Sequence, residues 1–256
     1  MLIPPKERVI YKNATLEQVV CQITFNPILT IEATVPFKFQ ELVRENFPLL
    51  EQHTQIDTKL SQQGMTQEQV RVYSFINESH DVKIDLTKET LAVFTKQYTD
   101  WLSFYHHVER AIDAADDAYS IPSIKALDLK YVNTFKKTKL GQPVEASWTE
   151  LVHPWFLGAI ADETLRTGVT ALSNQFDLDL GNGQGKVNVT LTKGLDTFGE
   201  EVLQMQAGFF VDKKLALSEI EQYLKVFNES SRNLLRHVVT EKMHLAMQPT
   251  GGDIGD

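Results

Sequence analysis

Three residues near the C-terminus have the types and spacing of a metal or acid–base site: His237, Glu241 and His244, at steps of four and three. Two imidazoles and one carboxylate form a ligand set suited to zinc or iron(II). On one helix those steps line a single flank, but His237 and His244 then lie two turns apart, about 10 Å along the axis. A straight helix cannot bring both to one ion, so no metal and no cofactor are expected. Arg236, His237, Glu241 and His244 read instead as a polar flank, whose cations favour the negative end of the helix dipole. That flank is the first candidate binding surface. The alternative is an enzyme, metal-dependent, with its site around the same His237, Glu241 and His244.

Other matches to known chemistry dissolve on inspection. Glu150-x-x-His153 and Glu241-x-x-His244 both fit the Glu-x-x-His step of di-iron bundles. Glu150, however, is the third position of a capping box opened by Ser147, and Pro154 interrupts the helix that would present His153. The run Gly181-Asn182-Gly183-Gln184-Gly185-Lys186 lacks P-loop spacing and sits between two strands, where Asn-Gly makes a hairpin turn. No Ser-His-Asp order or cysteine–histidine pairing emerges. Cys21 falls in an alternating strand and reads as a buried thiol. His106 and His107 lie beside an aromatic helix stripe. Asp116 and Asp117 read as solubility charges, and Trp101, Tyr105, Trp148 and Trp155 as core aromatics. Lys130, Lys136, Lys137 and Lys139 form one basic cluster at a strand end. With Asn133 on the same strand, Lys130 completes the list of weak binding candidates.

Composition sets outer limits. The formal net charge of −9 opposes general binding to phosphate backbones, so nucleic acid ranks last among partners. An apolar fraction of 42% and a charged fraction of 23% are those of a globular protein with a real core. No segment reads as a membrane span or a secretory signal, and the single cysteine fits a reducing cytoplasm.

Stepping along the chain, residues 1–15 read as an extended arm. A strand follows over Val19–Phe25, then a short helix from Pro36 to Phe47, a polar connector Ser61-Gln62-Gln63-Gly64, and three strands at Val70–Ile76, Val82–Leu86 and Thr90–Thr95. Trp101, Phe104, Tyr105, Val108, Ile112, Ala115 and Tyr119 recur at helical spacing. After Pro122 the order repeats: a strand around Leu127–Val132, a helix from Ser147 to Ile160, and strands Leu172–Leu180, Lys186–Thr192 and Glu201–Val211. The last expected element is a helix of about eight turns, Ser218 to Met247, capped by Ser218 with Glu221 and stopped by Pro249 and Gly251-Gly252. The fold class is therefore α+β: two strand–helix–three-strand–helix repeats, each with antiparallel strands facing a long amphipathic helix. Domain boundaries are expected at 1–121 and 122–247, with 248–256 a flexible tail.

Several short motifs occur in order along this chain: Tyr11-Lys12-Asn13-Ala14 with Glu17, Trp101 with Phe104, Tyr131-Val132-Asn133, Arg232-Asn233-Leu234, and Thr240-Glu241-Lys242-Met243-His244 with Met247. On them the chain resembles a sporadically distributed, functionally uncharacterised family of bacterial proteins of about this length. The resemblance covers nearly the whole chain and implies one intact unit with no established activity. Scattered occurrence implies an accessory role, of the defence or toxin–antitoxin kind. The expected function is non-catalytic binding of a protein partner or a small ligand, as sensor, adaptor or neutralising partner. A homo-oligomer is compatible with that reading.

Overall fold

A computed structural model of the chain describes residues 3–61 and 64–251. It is a mixed structure with antiparallel strand pairing in every register it defines. The N-terminal arm holds a short strand, β1 (Val9–Tyr11), and the first long strand is β2 (Leu16–Phe25). In β2 alternate residues Val19, Cys21, Ile23 and Phe25 are buried while Gln18, Val20, Gln22 and Thr24 stay half-exposed, as a period of two requires. Two short helices follow, α1 (Leu29–Ala33) and α2 (Phe37–Val43), the latter beginning directly after Pro36. Next come β3 (Leu49–Ser61), β4 (Gly64–Ile76), β5 (Val82–Leu86), β6 (Thr90–Thr95) and the long helix α3 (Trp101–Tyr119).

The first stretch thus carries four strands between its helices, where three were expected. The additional one is β3. Residues 49–56 are exposed, so over that stretch β3 has no buried face and no hydrophobic alternation to announce it. Of the expected connector Ser61–Gly64, Gln62 and Gln63 lie outside the described residues.

The second stretch opens with β7 (Ile124–Lys136). The expected helix from Ser147 to Ile160 is three short pieces: a 3-10 turn at Trp148–Glu150, α4 (Pro154–Leu157) and a 3-10 turn at Gly158–Ala161. The Ser147–Glu150 capping box is present, and Pro154 at the first position of α4 marks the split. Strands β8 (Leu172–Asp179), β9 (Lys186–Leu195) and β10 (Glu201–Leu215) follow, then α5 (Ile220–Val238), α6 (Glu241–Ala246) and a short β11 (Pro249–Gly251) paired with β1. The glycine run forms the turn from β8 to β9, with Gly181, Asn182, Gly183 and Gly185 at positive φ. Gly185 is required there: a Cβ would sit 2.4 Å from the Phe210 carbonyl oxygen.

The nine longer strands run in the order β3-β4-β5-β6-β2-β7-β10-β9-β8. The chain divides into two compact units that do not follow chain order or the boundary expected at 121/122. One comprises Gln18–Asp128 with Val211–Glu221; the other comprises Met1–Glu17, Leu129–Phe210 and Gln222–Asp256. In the first unit the buried face of the strands carries Phe75, whose ring lies 5.0 Å from Phe39 of α2. Phe104, Val108, Ala111, Ala114 and Ala115 are the buried positions of α3. In the second, Phe227 of α5 is fully buried with its ring 6.0 Å from Phe209 of β10, and Tyr131 of β7 donates its hydroxyl to Asn228 at 2.9 Å.

The eight-turn helix expected from Ser218 to Met247 is broken in two. Val239 and Thr240 leave the helix because residues 150–153 compete for their backbone groups. Thr240 N–H donates to the Leu151 carbonyl at 2.9 Å and His153 N–H to the Val238 carbonyl at 2.9 Å. The Thr240 hydroxyl donates to the Glu150 carbonyl at 2.6 Å and accepts from Met243 N–H, capping α6. At the other end α5 begins after a 3-10 turn at Leu217–Glu219. Glu219, rather than Glu221, reaches back to accept the Ala216 N–H at 2.7 Å. The tail expected to be free from 248 instead forms β11 at 249–251; residues 252–256 lie outside the described residues.

Candidate functional site

The expected flank is occupied by the chain's own N-terminal arm. The helix break puts His237 in the last turn of α5 and both Glu241 and His244 in α6, so the straight-helix spacing that separated them does not apply. His237 Nε2 donates to the Pro4 carbonyl at 3.1 Å, and Asn233 Oδ1 accepts the Lys6 N–H at 2.9 Å. His244 Nδ1 meets the Tyr11 hydroxyl at 2.8 Å with the rings edge to face, and Arg236 lies 3.7 Å from Glu241. Burial, with Arg236 nearby, holds His244 below the usual imidazole range. It is therefore neutral at pH 7, and its Nδ1 shares one hydrogen bond with the tyrosine hydroxyl. Among the described residues, no group of three or more His, Cys, Asp and Glu converges where a metal ion could be held.

The strand candidates separate. Lys130 is exposed on β7, whereas Asn133 is buried and accepts the Thr15 hydroxyl at 3.0 Å. Two of the four lysines of the basic cluster are engaged by the fold. Lys136 is paired with Asp196 and, at 3.4 Å, with Glu200. Lys137 is only 5% exposed, donates to the Val144 carbonyl at 2.9 Å and lies over the Trp148 ring, its pKa lowered by burial. Lys136 and Lys137 stitch loops together, and phosphate could pair with those two only by displacing these contacts, whereas Lys130 and Lys139 stay exposed.

One cleft of about 520 Å³ lies between α2 and α3, lined by Leu42, Asn46, His106, His107, Arg110 and Asp113 among others. His107 packs edge-on to Phe47 and burial lowers its pKa, so it is a neutral imidazole at pH 7. Asp113 is pushed up by burial first and then by Glu109, Asp117 and Asp116. The cleft is open and of mixed charge, and most of its polar groups are solvated.

The largest polar arrangement is one that motif reading misses. In the second unit the residues of β8, β9 and β10 that alternate with the buried ones share one face. The registers line up Ser173, Thr192 and Gln204; Gln175, Thr190 and Gln206; and Asp177, Asn188 and Gly208 in three cross-strand rows. All are half-exposed or exposed. The rings that pack on these strands, Phe227 on Phe209 and Trp155 and Phe156 on Phe176, belong to the opposite face. Apart from Asp177 and Gly208, the exposed rows are made of amides and hydroxyls, where an ordinary solvated face carries Lys and Glu. They are partly cross-linked: Gln206 Nε2 donates to Gln204 Oε1 at 2.8 Å and Asn188 donates to Asp177. The legible signal was this run of uncharged polar residues at the outward positions of three strands.

The first unit has a charged counterpart in Asp128 of β7 and Asp212 of β10. Asp128 lies between buried Leu127 and Leu129 and so points away from the core, and Asp212 is exposed directly after buried Val211. Burial first, then the Asp212 charge, pushes Asp128 up to about 6. Cys21, fully buried behind it, is pushed up by burial far beyond any physiological ionisation, which leaves an inert thiol.

In comparisons with known proteins, no family model and no curated protein matches this chain. Among the described residues no helix is long and apolar enough to cross a membrane.

Proposed function

We propose that the protein acts by binding another protein, and that it does so on the exposed face of β8, β9 and β10. The observation that carries this reading is the set of three registered rows on three neighbouring strands, in which Ser, Thr, Asn and Gln fill seven of nine positions beside Asp177 and Gly208. Such a face supplies many hydrogen-bond donors and acceptors without charge, at low cost in side-chain entropy for the short Ser and Thr members. It suits the polar surface of a protein. Asp177 in the third row and Asp179 in the next, opposite Lys186, make it a poor match for phosphate, in keeping with the chain's net charge. An open sheet face also encloses no small molecule.

Around this core reading stand the wider proposals. The partner belongs to an accessory bacterial system of the defence or toxin–antitoxin kind, in the cytoplasm, with this chain as adaptor, sensor or neutralising component. The chain is read as two related halves, each an antiparallel sheet with a long helix. In both halves the first strand lies beside the last in the sheet, β2 by β6 and β7 by β10, which supports that reading. The first half then carries β3 as an additional outer strand. The catalytic alternative around His237, Glu241 and His244 loses ground because the arm occupies two of the three.

The test is a Thr190→Lys, Gln206→Lys double variant. It should melt as the wild type does, because both side chains stand clear of the core, and it should lose capture of the native partner. Undiminished capture would overturn the assignment of this face.

A further inference from the structure

The apolar layer of the second unit thins toward its outer strand. On β10 and β9 the inward residues are fully buried, Leu203 and Phe209 on one, Val187, Val189 and Leu191 on the other. On β8 the inward residues Leu172, Asn174, Phe176 and Leu178 are only half-buried. Trp155 of α4, whose ring lies 6.2 Å from Phe176, stands 58% exposed. The cause is position. β8 ends the strand order and pairs with β9 alone, so no described strand lies beyond it. It has no proline and keeps one unbroken register from Leu172↔Lys193 to Asp179↔Lys186. Its two charges, Asp177 and Asp179, both sit on the outward face. Folds usually disarm such an edge with a bulge, a proline or an inward charge, because an edge recruits another strand.

The sequence of β8 says which strand fits. Two identical edges pair antiparallel about a two-fold axis perpendicular to the sheet, which keeps inward residues opposite inward ones. Set about Gln175, Leu172 falls opposite Leu178 twice across the axis. Asn174, which already donates to the Phe156 carbonyl at 3.3 Å, falls opposite Phe176. On the outward face Gln175 meets its own copy and Asp177 meets Ser173, so no two acids meet. Set about 177, Asp177 would face Asp177; set about 178, it would face Asp179. A centre at 174 shortens the paired stretch, and one at 176 puts Leu178 against the Asn174 amide and loses both leucine pairs. We infer that β8 is the interface of a two-fold homodimer, in which the edges of two copies pair antiparallel about Gln175. The occupant is a second copy of this chain, added as a strand, whose Leu172 and Leu178 continue the apolar layer that β8 leaves half-covered. The same pairing sets the row Gln206, Thr190 and Gln175 end to end with its own copy, so the polar face runs on across the axis.

The purified chain alone tests this, independently of any partner on the polar face. Sedimentation equilibrium and light scattering of the full chain over a concentration series should show a dimer of two 29.1 kDa chains, about 58 kDa. Opposite charges at one position should act in opposite directions. Ser173→Asp sets two acids against Asp177 and should raise the dissociation constant about five-fold or more. Ser173→Lys makes both contacts attractive and should lower it about three-fold or more. Adding Asp177→Lys to Ser173→Asp should restore dimerisation. Circular dichroism and melting check that each variant is folded. In the wild type, amide exchange over residues 172–179 should slow as concentration rises, which needs no variant. A monomer at every concentration, a dimer that answers both charges at 173 alike or neither, failure of Asp177→Lys to rescue, or growth beyond the dimer through β8 meeting the other edge strand β3 would each overturn the inference.

Discussion

Asp128 offers a quantitative check, because its cost to the fold depends on pH in a defined direction. Its carboxyl is raised from an ordinary 3.8 to about 6, chiefly by burial, with Asp212 adding to it. At 1.36 kcal/mol per pKa unit, a shift of about two units corresponds to about 3 kcal/mol between protonation states. Part of the group still faces water, and solvent screening reduces the expected effect to about 1–2 kcal/mol. A raised folded-state pKa means that the folded protein holds the proton more tightly than the unfolded chain. The associated stability is fully present below about pH 4 and lost as pH rises through about 6. Asp128→Asn has no proton to lose. It should match the wild type near pH 4 and exceed it near pH 7.5 by that 1–2 kcal/mol, a few degrees in Tm for a chain of this size. Asp212→Asn should give a smaller gain, since burial is the larger cause. Thermal melts of both variants at the two pH values decide it. A difference that does not change with pH, or an Asp128→Asn protein less stable at pH 7.5, would refute the reasoning.

Three further outcomes are expected. Phe227→Ala should cost about 3–5 kcal/mol in denaturant unfolding, because a fully buried ring stacked near Phe209 leaves a cavity; a loss below about 1 kcal/mol would contradict the core assignment. Gly185→Ala should cost about 1–3 kcal/mol or more by the same assay, from positive φ and the clash with the Phe210 carbonyl, and an unchanged midpoint would contradict it. Tyr11→Phe should remove about 0.5–1.5 kcal/mol and speed amide exchange at 9–11. His244, with its pKa lowered, stabilises the arm above the unfolded imidazole pKa and loses that contribution as pH falls through the folded value. In the wild type, exchange at 9–11 should therefore quicken from pH 7 to pH 5 beyond the intrinsic change, and a constant protection factor would refute the His244 contact as its cause.

What could be read from the sequence follows from where the physical signal is local. Alternation marks β2 and β10 because one face of each is buried: Val19, Cys21, Ile23 and Phe25 in one, Leu203, Met205, Ala207 and Phe209 in the other. Hairpin chemistry at Asn182-Gly183 and the Ser147–Glu150 box are likewise decided within a few residues. β3 was invisible because residues 49–56 have no buried face, and a strand without a buried face has no period. The break at Thr240 was invisible for the opposite reason: the groups that open the helix come from Glu150 and Leu151, about ninety positions earlier. The arm's grip on His237 and His244 spans 233 positions, so the flank looked free in the sequence and is occupied in the fold. The polar rows on β8, β9 and β10 were present letter by letter, but only the registers bring them together.

The central claim, a protein partner on that face, is tested most directly by placing a photo-crosslinking amino acid at position 190 or 206 in the native host. Position 229, an exposed residue of α5, serves as the control. One discrete crosslinked partner is expected from 190 and 206 and none from 229. A partner captured from 229 with nothing from 190 or 206 would contradict it.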